Sequence, residues 1–571
     1  MAEKYIDYET DILIIGAGGA GLRAAIAGFD SGVRVTVVTK SLLGKAHTVM
    51  AEGGIAASLG NLDSKDNWEV HFNDTVVEGV YISNWRMAEL LAREAPDRVY
   101  ELEQYGALFD RTPEGKISQR AFGAHTYRRL CHVGDRTGLE LIKTLEDQVL
   151  HRDIKFFDEL YITKLLKKGD RVIGAVGIKL NSGEFYAFRA KAVIIATGGC
   201  GKIYKVTSNS WESTGDGLGL AFNAGAELMD MEMIQFHPTG MVYPPGVRGL
   251  LVTEGVRGDG GILLNSEGER FMLRYSPKKK ELDARDIVAR ANYAEIMAGR
   301  GTPHGGVYLD ISHKGADYIK TKLPSMYAQF KDFAGVDITK EKMEVAPTVH
   351  YQMGGIKVDP DTTKTNVEGL FAAGEVASGL HGANRLGGNS LADILVFGRR
   401  SGLGAAEYTK KATLEDLSKS DIEAEIARVK SYLRDDGRNP YEVIDELSTN
   451  MSDNVGIIRT ETNLQKALIK ILELKGAAPR VGVRGGLKYN KGLLACLEIP
   501  NMLIAAEAVV RGAMTRKESR GAHARSDYPK KDPSFKKNII YKKSGDEMKL
   551  ELRPVPEMPE NLKKLVDPEE Y

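Results

Sequence analysis

Residues 11–29 narrow the possible folds of this chain more than any other stretch. Asp11-Ile-Leu-Ile-Ile15 is short and apolar, as a buried strand is, and Gly16-x-Gly18-x-x-Gly21 follows at once, before a helical stretch that runs to Phe29. A glycine turn between strand and helix lets the backbone approach a pyrophosphate, lets the helix pack closely, and aims a helix N-terminus at negative charge. A second apolar segment, residues 33–39, completes a βαβ opening. A glycine-rich turn alone can bind nothing; framed by two strands it predicts a Rossmann-like dinucleotide domain, with Gly16, Gly18, Gly19 and Gly21 at the ligand.

The second strand ends in Thr39 and Lys40, where NAD sites often carry an acidic residue for the ribose, so NAD is disfavoured. Two later segments point to FAD. Ala192-Val-Ile-Ile-Ala-Thr197 runs into Gly198-Gly199, and Gly369-Leu-Phe-Ala-Ala-Gly374 runs into Glu375. Such strand-to-glycine returns suit a cofactor long enough to touch one sheet at several strand ends. Thr214-Gly-Asp216-Gly offers a ribityl or phosphate-side contact through Asp216, the alternative being a helix cap.

The 571 residues exceed what one hydrophobic core serves, so two to four structural units are expected. Lys+Arg and Asp+Glu both total 78, which gives no global attraction for nucleic acid. Cys131, Cys200 and Cys496 are too few and too scattered for a disulfide framework or a thiolate metal cage, and no metal site is expected. The longest apolar run, residues 12–22, is about half of a bilayer span. Residues 1–10 are polar and acidic, without the pattern of a targeting signal. A soluble chain in a reducing, cytoplasmic compartment is expected, touching a membrane only through another protein.

Ala46-His47-Thr48-Val-Met-Ala-Glu52-Gly53-Gly54-Ile resembles the segment by which succinate dehydrogenase and fumarate reductase flavoproteins attach FAD through a histidine. Gln235-Phe-His237-Pro-Thr239, Leu251-Val-Thr253-Glu254-Gly255, Ala284-Arg285-Asp286, His350-Tyr-Gln-Met-Gly354-Gly355 and His381-Gly-Ala-Asn-Arg385-Leu-Gly-Gly-Asn-Ser390-Leu391 are similar to that family and occur in its order. Ser519-Arg-Gly-Ala-His523-Ala-Arg525-Ser-Asp-Tyr528-Pro matches its C-terminal signature. The resemblance implies covalent FAD on His47, with Thr48, Gly53, Gly54, Ser390 and Leu391 around it. Glu52 stands where many succinate dehydrogenases have glutamine and resembles some fumarate reductases.

The expected architecture is α/β. A discontinuous FAD-binding domain takes residues 1–231 and 349–405, around an inserted α+β capping domain at 232–348. A helical domain follows at 406–528, with amphipathic spacing in residues 421–433 and 463–474. Residues 529–571 are a lysine- and proline-rich tail, extended across a neighbouring surface, with its lysines in solvent.

Succinate and fumarate are dianions, so their site needs cationic donors. Arginine's planar fork grips a carboxylate at two points and keeps its charge. Arg385, in a loop rich in glycine and asparagine, is the expected clamp, and His237, Thr253 and His350 are expected on the remaining oxygens. By resemblance Arg285 is the proton donor, with Glu254 and Arg257 as the relay behind it; alternating acidic and basic groups are what a relay needs. The family also implies an iron–sulfur partner subunit, because this chain cannot ligate a cluster, and through it a quinone-carrying membrane anchor or another electron-accepting subunit. The protein would then sit peripherally on the cytoplasmic face of a membrane. The alternatives are an L-aspartate oxidase-like enzyme, which His47 argues against, and an FAD-dependent RNA-modifying or nucleotide-binding module, which the charge balance argues against.

Overall fold

The computed structural model describes residues 3–569. Its central sheet has seven strands. Lys155–Phe157, Val35–Val38, Ile6–Ile15 and Phe185–Ile195 pair in that order and in parallel, and Leu370–Ala372 continues the parallel set along the far end of Phe185–Ile195. The other half of Phe185–Ile195 pairs antiparallel with Arg171–Lys179, which pairs with Leu160–Lys168. Ile12, Leu13 and Ile14 are wholly buried, since both faces of this parallel centre are covered. Helix Gly19–Asp30 lies against the long helix Asn389–Thr409, and small residues bring them together: a Cβ on Gly402 would meet Ala24 O at 2.3 Å.

All strand ends that carry the expected cofactor residues open on the same edge of this sheet. Ile15, Val38, Ile195 and Ala372 are register neighbours at those ends, and the glycine turns follow them.

Above that edge sits a four-stranded antiparallel sheet, ordered Ile234–Met241, Met343–Gln352, Val307–Asp310 and Ile262–Leu264. Val252, Phe271, Leu309, Phe330 and Val345 belong to its own core, separate from that of the central sheet. The chain enters this cap after Asp230 and leaves it near Gly354, and the two crossings touch: a Cβ on Gly354 would meet Asp230 O at 2.2 Å.

Helices Lys419–Lys430 and Glu461–Ala477 occupy the stretches where amphipathic spacing predicts them, alongside Pro440–Asn454 and Lys491–Thr515. The last has the length and hydropathy of a membrane span, yet its most apolar window is 89% buried inside the protein. Glu498, Asn501 and Glu507 interrupt its apolar run, and the fold pairs their side chains internally, Glu498 with Lys40 and Glu507 with Lys475.

The segment after residue 528 crosses the cofactor domain and adds a hairpin, Lys537–Ser544 and Glu547–Pro554, to a sheet with Leu228–Met229. Arg516 fastens it to the cap hinge: its guanidinium donates to Glu232 Oε1 at 2.7 Å, Asp230 Oδ1 at 3.2 Å and Lys537 O at 3.0 Å. Lys536, expected in solvent alone, pairs with Glu569 at 3.1 Å.

Candidate active site

Between the cap and the strand ends lies one cleft, lined on one side by the glycine turns and on the other by cap residues. The expected cofactor residues Gly16, Gly18, Gly19, Thr39, Lys40, His47, Thr48, Gly53, Gly54, Asp216, Glu375, Ser390 and Leu391 all line it, as do the expected substrate residues His237, Thr253, Glu254, Arg285, His350 and Arg385.

Two expected residues stand behind the wall. Gly21 is a packing glycine, because a Cβ there would meet Gly16 O at 1.9 Å. Arg257 backs Glu254 at 3.7 Å and donates to Glu281 O without reaching the cleft. Gly16 itself has φ of 112° and sits against Ala196 O, so only glycine makes this turn.

Several polar atoms in the cleft lack any partner within the protein. Glu52 Oε2, Thr197 Oγ1, Ser210 Oγ, Glu212 Oε2 and Arg385 Nε are all buried and unbonded. Buried polar atoms are rarely left so, and a cofactor with ribityl hydroxyls, phosphates and ring heteroatoms meets that need. Burial holds the Glu375 carboxyl up at about 7, and it raises Glu52 well above the carboxylate range, with Asp135 adding to the effect.

At the Thr39 end, Lys40 Nζ donates to Thr214 Oγ1 at 2.7 Å, Asp216 Oδ2 at 2.6 Å and Glu498 Oε1 at 2.7 Å. Asp216 opens helix Asp216–Ala224 without capping it; its carboxylate serves Lys40 and the Tyr161 hydroxyl, 2.9 Å away.

His47 begins a short 3-10 turn and is half-buried. The Ser210 N–H donates to its Nδ1 at 3.2 Å, and the Asn209 amide lies 3.3 Å from Nε2. Burial, with Lys202 and Arg385 nearby, depresses its pKa to about 4, so the imidazole is neutral.

On the cap side Arg285 starts helix Arg285–Glu295. Its Nε donates to Glu254 Oε2 at 2.7 Å and its Nη1 to Gln235 Oε1 at 3.2 Å. Arg385 donates Nη2 to the same Gln235 oxygen at 2.9 Å and Nη1 to Ser390 Oγ at 3.1 Å, and its guanidinium lies 4.4 Å from the Tyr351 ring centre. Burial and then the Arg285 charge push Arg385 down to about 9, a strain that a bound anion relieves. Burial alone would raise Glu254, but Arg285 and Arg257 outweigh it and keep the group a carboxylate. His237 and His350 stand 5.1 Å apart, ring centre to ring centre, and burial holds both well below the imidazole range. His350 Nδ1 is 2.8 Å from Ser208 Oγ, and His237 Nδ1 is 3.0 Å from Thr239 O. The site is therefore two guanidinium groups joined through one amide oxygen, flanked by neutral imidazoles, with a carboxylate under one guanidinium.

Comparison with known proteins decides the family. Residues 11–391 match the FAD binding domain model and residues 444–566 the fumarate reductase flavoprotein C-terminal model. The chain belongs to the succinate dehydrogenase and fumarate reductase flavoprotein family. Within that family it is 50% identical to a fumarate reductase (CoM/CoB) subunit of Methanothermobacter marburgensis, over 93% of this chain and 97% of that one. It is 40% identical to the succinate dehydrogenase flavoprotein subunit of Rickettsia bellii, over 93% and 92%. Among solved structures, Mycobacterium smegmatis Sdh1 in complex with UQ1 is 52% identical with a TM-score of 0.88, covering 96% of this chain and 95% of that one. E. coli quinol fumarate reductase FrdA, solved as a point mutant, is 36% identical with a TM-score of 0.92, covering 97% and 98%.

Sequence reasoning named Gln235 as part of a motif but gave it no role; its bond partners lie 50 and 150 residues away, and no local pattern reveals them. Tyr351, Asn209, Ser210 and Glu498 were passed over for the same reason. The Gly123 N–H, which donates to Glu254 Oε1 at 2.8 Å, carries no side-chain signal at all.

Proposed function

We propose that the protein interconverts succinate and fumarate on an FAD held by the glycine turns and by His47. One observation carries this reading: Arg285 and Arg385 line the cleft that also contains the dinucleotide fingerprint, and both donate to Gln235 Oε1 behind its wall. FAD supplies the hydride donor and acceptor when bound. Arg385 holds one substrate carboxylate in a bidentate grip, while His237, Thr253 and His350 take the remaining oxygens. Arg285 delivers the proton to the substrate carbon. A guanidinium is a reluctant acid, and it gives up a proton only to a strongly basic, carbanion-like carbon. Glu254, 2.7 Å from Arg285, returns the proton, and Arg257 stands behind it. The cap excludes water from these charges, which strengthens each interaction.

Covalent attachment through His47 is part of the proposal. A backbone N–H only donates, so Nδ1 of His47 accepts from Ser210 and Nε2 is the nitrogen left to carry the bond. Such a link raises the flavin potential, and for a two-electron couple about 30 mV corresponds to roughly 1.4 kcal/mol.

Paired electrons must then leave singly. The three cysteines are buried and separate, so the reading assigns that task to an iron–sulfur partner subunit. The relatives' names carry UQ1 in one case and CoM/CoB in another. A quinone-carrying membrane anchor, reached through the partner, would hold the chain peripherally on the cytoplasmic face; another electron-accepting subunit is the second arrangement. The L-aspartate oxidase and RNA-modifying readings are not favoured by these relatives. Steady-state assays of the flavin-loaded protein test the proposal: fumarate reduction with a reduced dye and succinate oxidation with an oxidised one, both inhibited competitively by malonate. Turnover of neither dicarboxylate overturns it.

A further inference from the structure

Residues 122–126 thread between the two halves of the site. Phe122 lines the cleft, the Gly123 N–H donates to Glu254 Oε1 at 2.8 Å, and the His125 ring bonds Gly387 O at 2.7 Å. Ala124 between them has φ of 64°, a left-handed conformation that costs a residue with a Cβ about a kcal/mol or more. Strain of this kind persists where the surroundings hold it in place, and here both neighbours are bonded to site elements.

The bond to Gly387 has only one polarity. A carbonyl oxygen accepts, so His125 Nε2 carries the proton, and Nδ1 is left buried without a partner. Burial, with Arg129 adding to it, keeps the His125 pKa well below the ordinary imidazole value, so the ring is a neutral donor. Gly387 lies in the loop between Arg385 and Ser390, whose side chains bond each other at 3.1 Å. The next turn of the same loop is pinned similarly: His71 Nε2 is 2.8 Å from Asn389 Oδ1, and Asn389 Nδ2 donates to Thr75 Oγ1 at 3.0 Å.

We propose that His125 is a positioning residue for the dicarboxylate site: its Nε2–H fixes the Gly387 carbonyl and with it the Arg385 loop, while Gly123 in the same strained segment fixes Glu254. The substrate clamp and the proton relay, which belong to different domains, are thereby set in one register. The inference rests on the succinate–fumarate reading of the cleft. It gives His125 a duty that none of the family-like motifs contains, and it depends on the donor at Nε2, not on titration. A glutamine, whose amide N–H has a similar reach, can substitute; an apolar ring cannot.

The test uses the full-length, flavin-loaded protein and its His125→Phe and His125→Gln variants, with His125→Ala in reserve should the phenylalanine variant lose its flavin. KM and kcat for fumarate are measured with a reduced dye, and the malonate Kd is measured from the perturbation of the flavin spectrum. Leaving the Gly387 carbonyl unpaired raises KM and malonate Kd by about tenfold in His125→Phe, more than it lowers kcat, and the ratio to wild type is the same at pH 6 and pH 8. His125→Gln restores most of that loss. Unchanged KM and malonate Kd in both non-donor variants, a defect confined to kcat, or a glutamine variant as impaired as phenylalanine each overturn the inference. Wild-type protein that neither binds malonate nor reduces fumarate overturns instead the functional reading beneath it.

Discussion

The side-chain carbonyl of Gln235 accepts a hydrogen bond from Arg385, 150 residues along the chain, at 2.9 Å. Because the same oxygen also accepts from Arg285, an uncharged acceptor spaces two cations without neutralising either. A neutral amide adds no counter-charge: Glu254 pairs with Arg285, and the Arg385 charge stays available to a dianion. Gln235→Glu would neutralise that charge internally: the melting temperature is expected to hold or rise, while KM for fumarate climbs by about tenfold or more. Thermal melts and steady-state kinetics on the same preparation check this; a glutamate variant with wild-type KM contradicts it.

His47→Ser removes the only site assigned to covalent attachment. Denatured variant protein is expected to release all its flavin, where wild type keeps it on the polypeptide. Fumarate reduction survives in part and most succinate oxidation is lost, since the potential falls. Undiminished succinate oxidation refutes the role of His47.

Asp135 belongs to the cofactor domain, yet its carboxylate accepts from the N–H groups of Ser325 at 2.8 Å and Met326 at 3.2 Å, at the start of cap helix Pro324–Ala334. Those are orphan donors of a helix N-terminus, and Asp135 satisfies them from the cofactor domain. Asp135→Ala is expected to cost about 1 kcal/mol of stability and, by loosening the cap, to raise KM for fumarate and speed oxidation of the reduced flavin by oxygen. Melting curves and oxygen-consumption traces measure both effects; unchanged values in both show that the contact does not hold the cap.

Burial, with Arg129 behind it, depresses the wholly buried His71 from 6.5 to about 3. An unfolded chain takes up that proton near pH 6.5 and the folded one refuses it until about pH 3, so this residue's contribution to stability is present above pH 6.5 and is lost as pH falls between those values. His71→Gln keeps an N–H for Asn389 and has no proton to take up. Its stability deficit relative to wild type should narrow by about 2 kcal/mol from pH 7 to pH 5, seen as converging melting temperatures. A deficit that widens towards pH 5 reverses the sign and contradicts the burial argument.

Local patterns made much of this molecule legible. The strand, the glycine turn and the helix at residues 6–30 are contiguous, and each is dictated by neighbours in sequence, so the cofactor end could be read directly. The family-like motifs delivered the substrate-side residues of the cleft, His237, Thr253, Glu254, Arg285, His350 and Arg385. What stayed hidden depends on distant partners: Glu498 reaches Lys40 over 458 residues, and His125 reaches Gly387 over 262. Helix Lys491–Thr515 was not singled out because its buried acids interrupt the apolar run, and only the opposing Lys40 and Lys475 explain them. Gly21 was placed at the ligand because motif membership does not tell a lining residue from the one supporting it.

Reoxidation of the chemically reduced, flavin-loaded protein by fumarate in a stopped-flow instrument tests the arrangement of Arg285, Arg385 and Glu254 most directly. The arrangement predicts a single-turnover rate that saturates with fumarate, that malonate suppresses, and that Arg285→Gln abolishes while malonate still perturbs the flavin spectrum. Reduced flavin that ignores fumarate, or an Arg285→Gln variant that reoxidises at the wild-type rate, contradicts it.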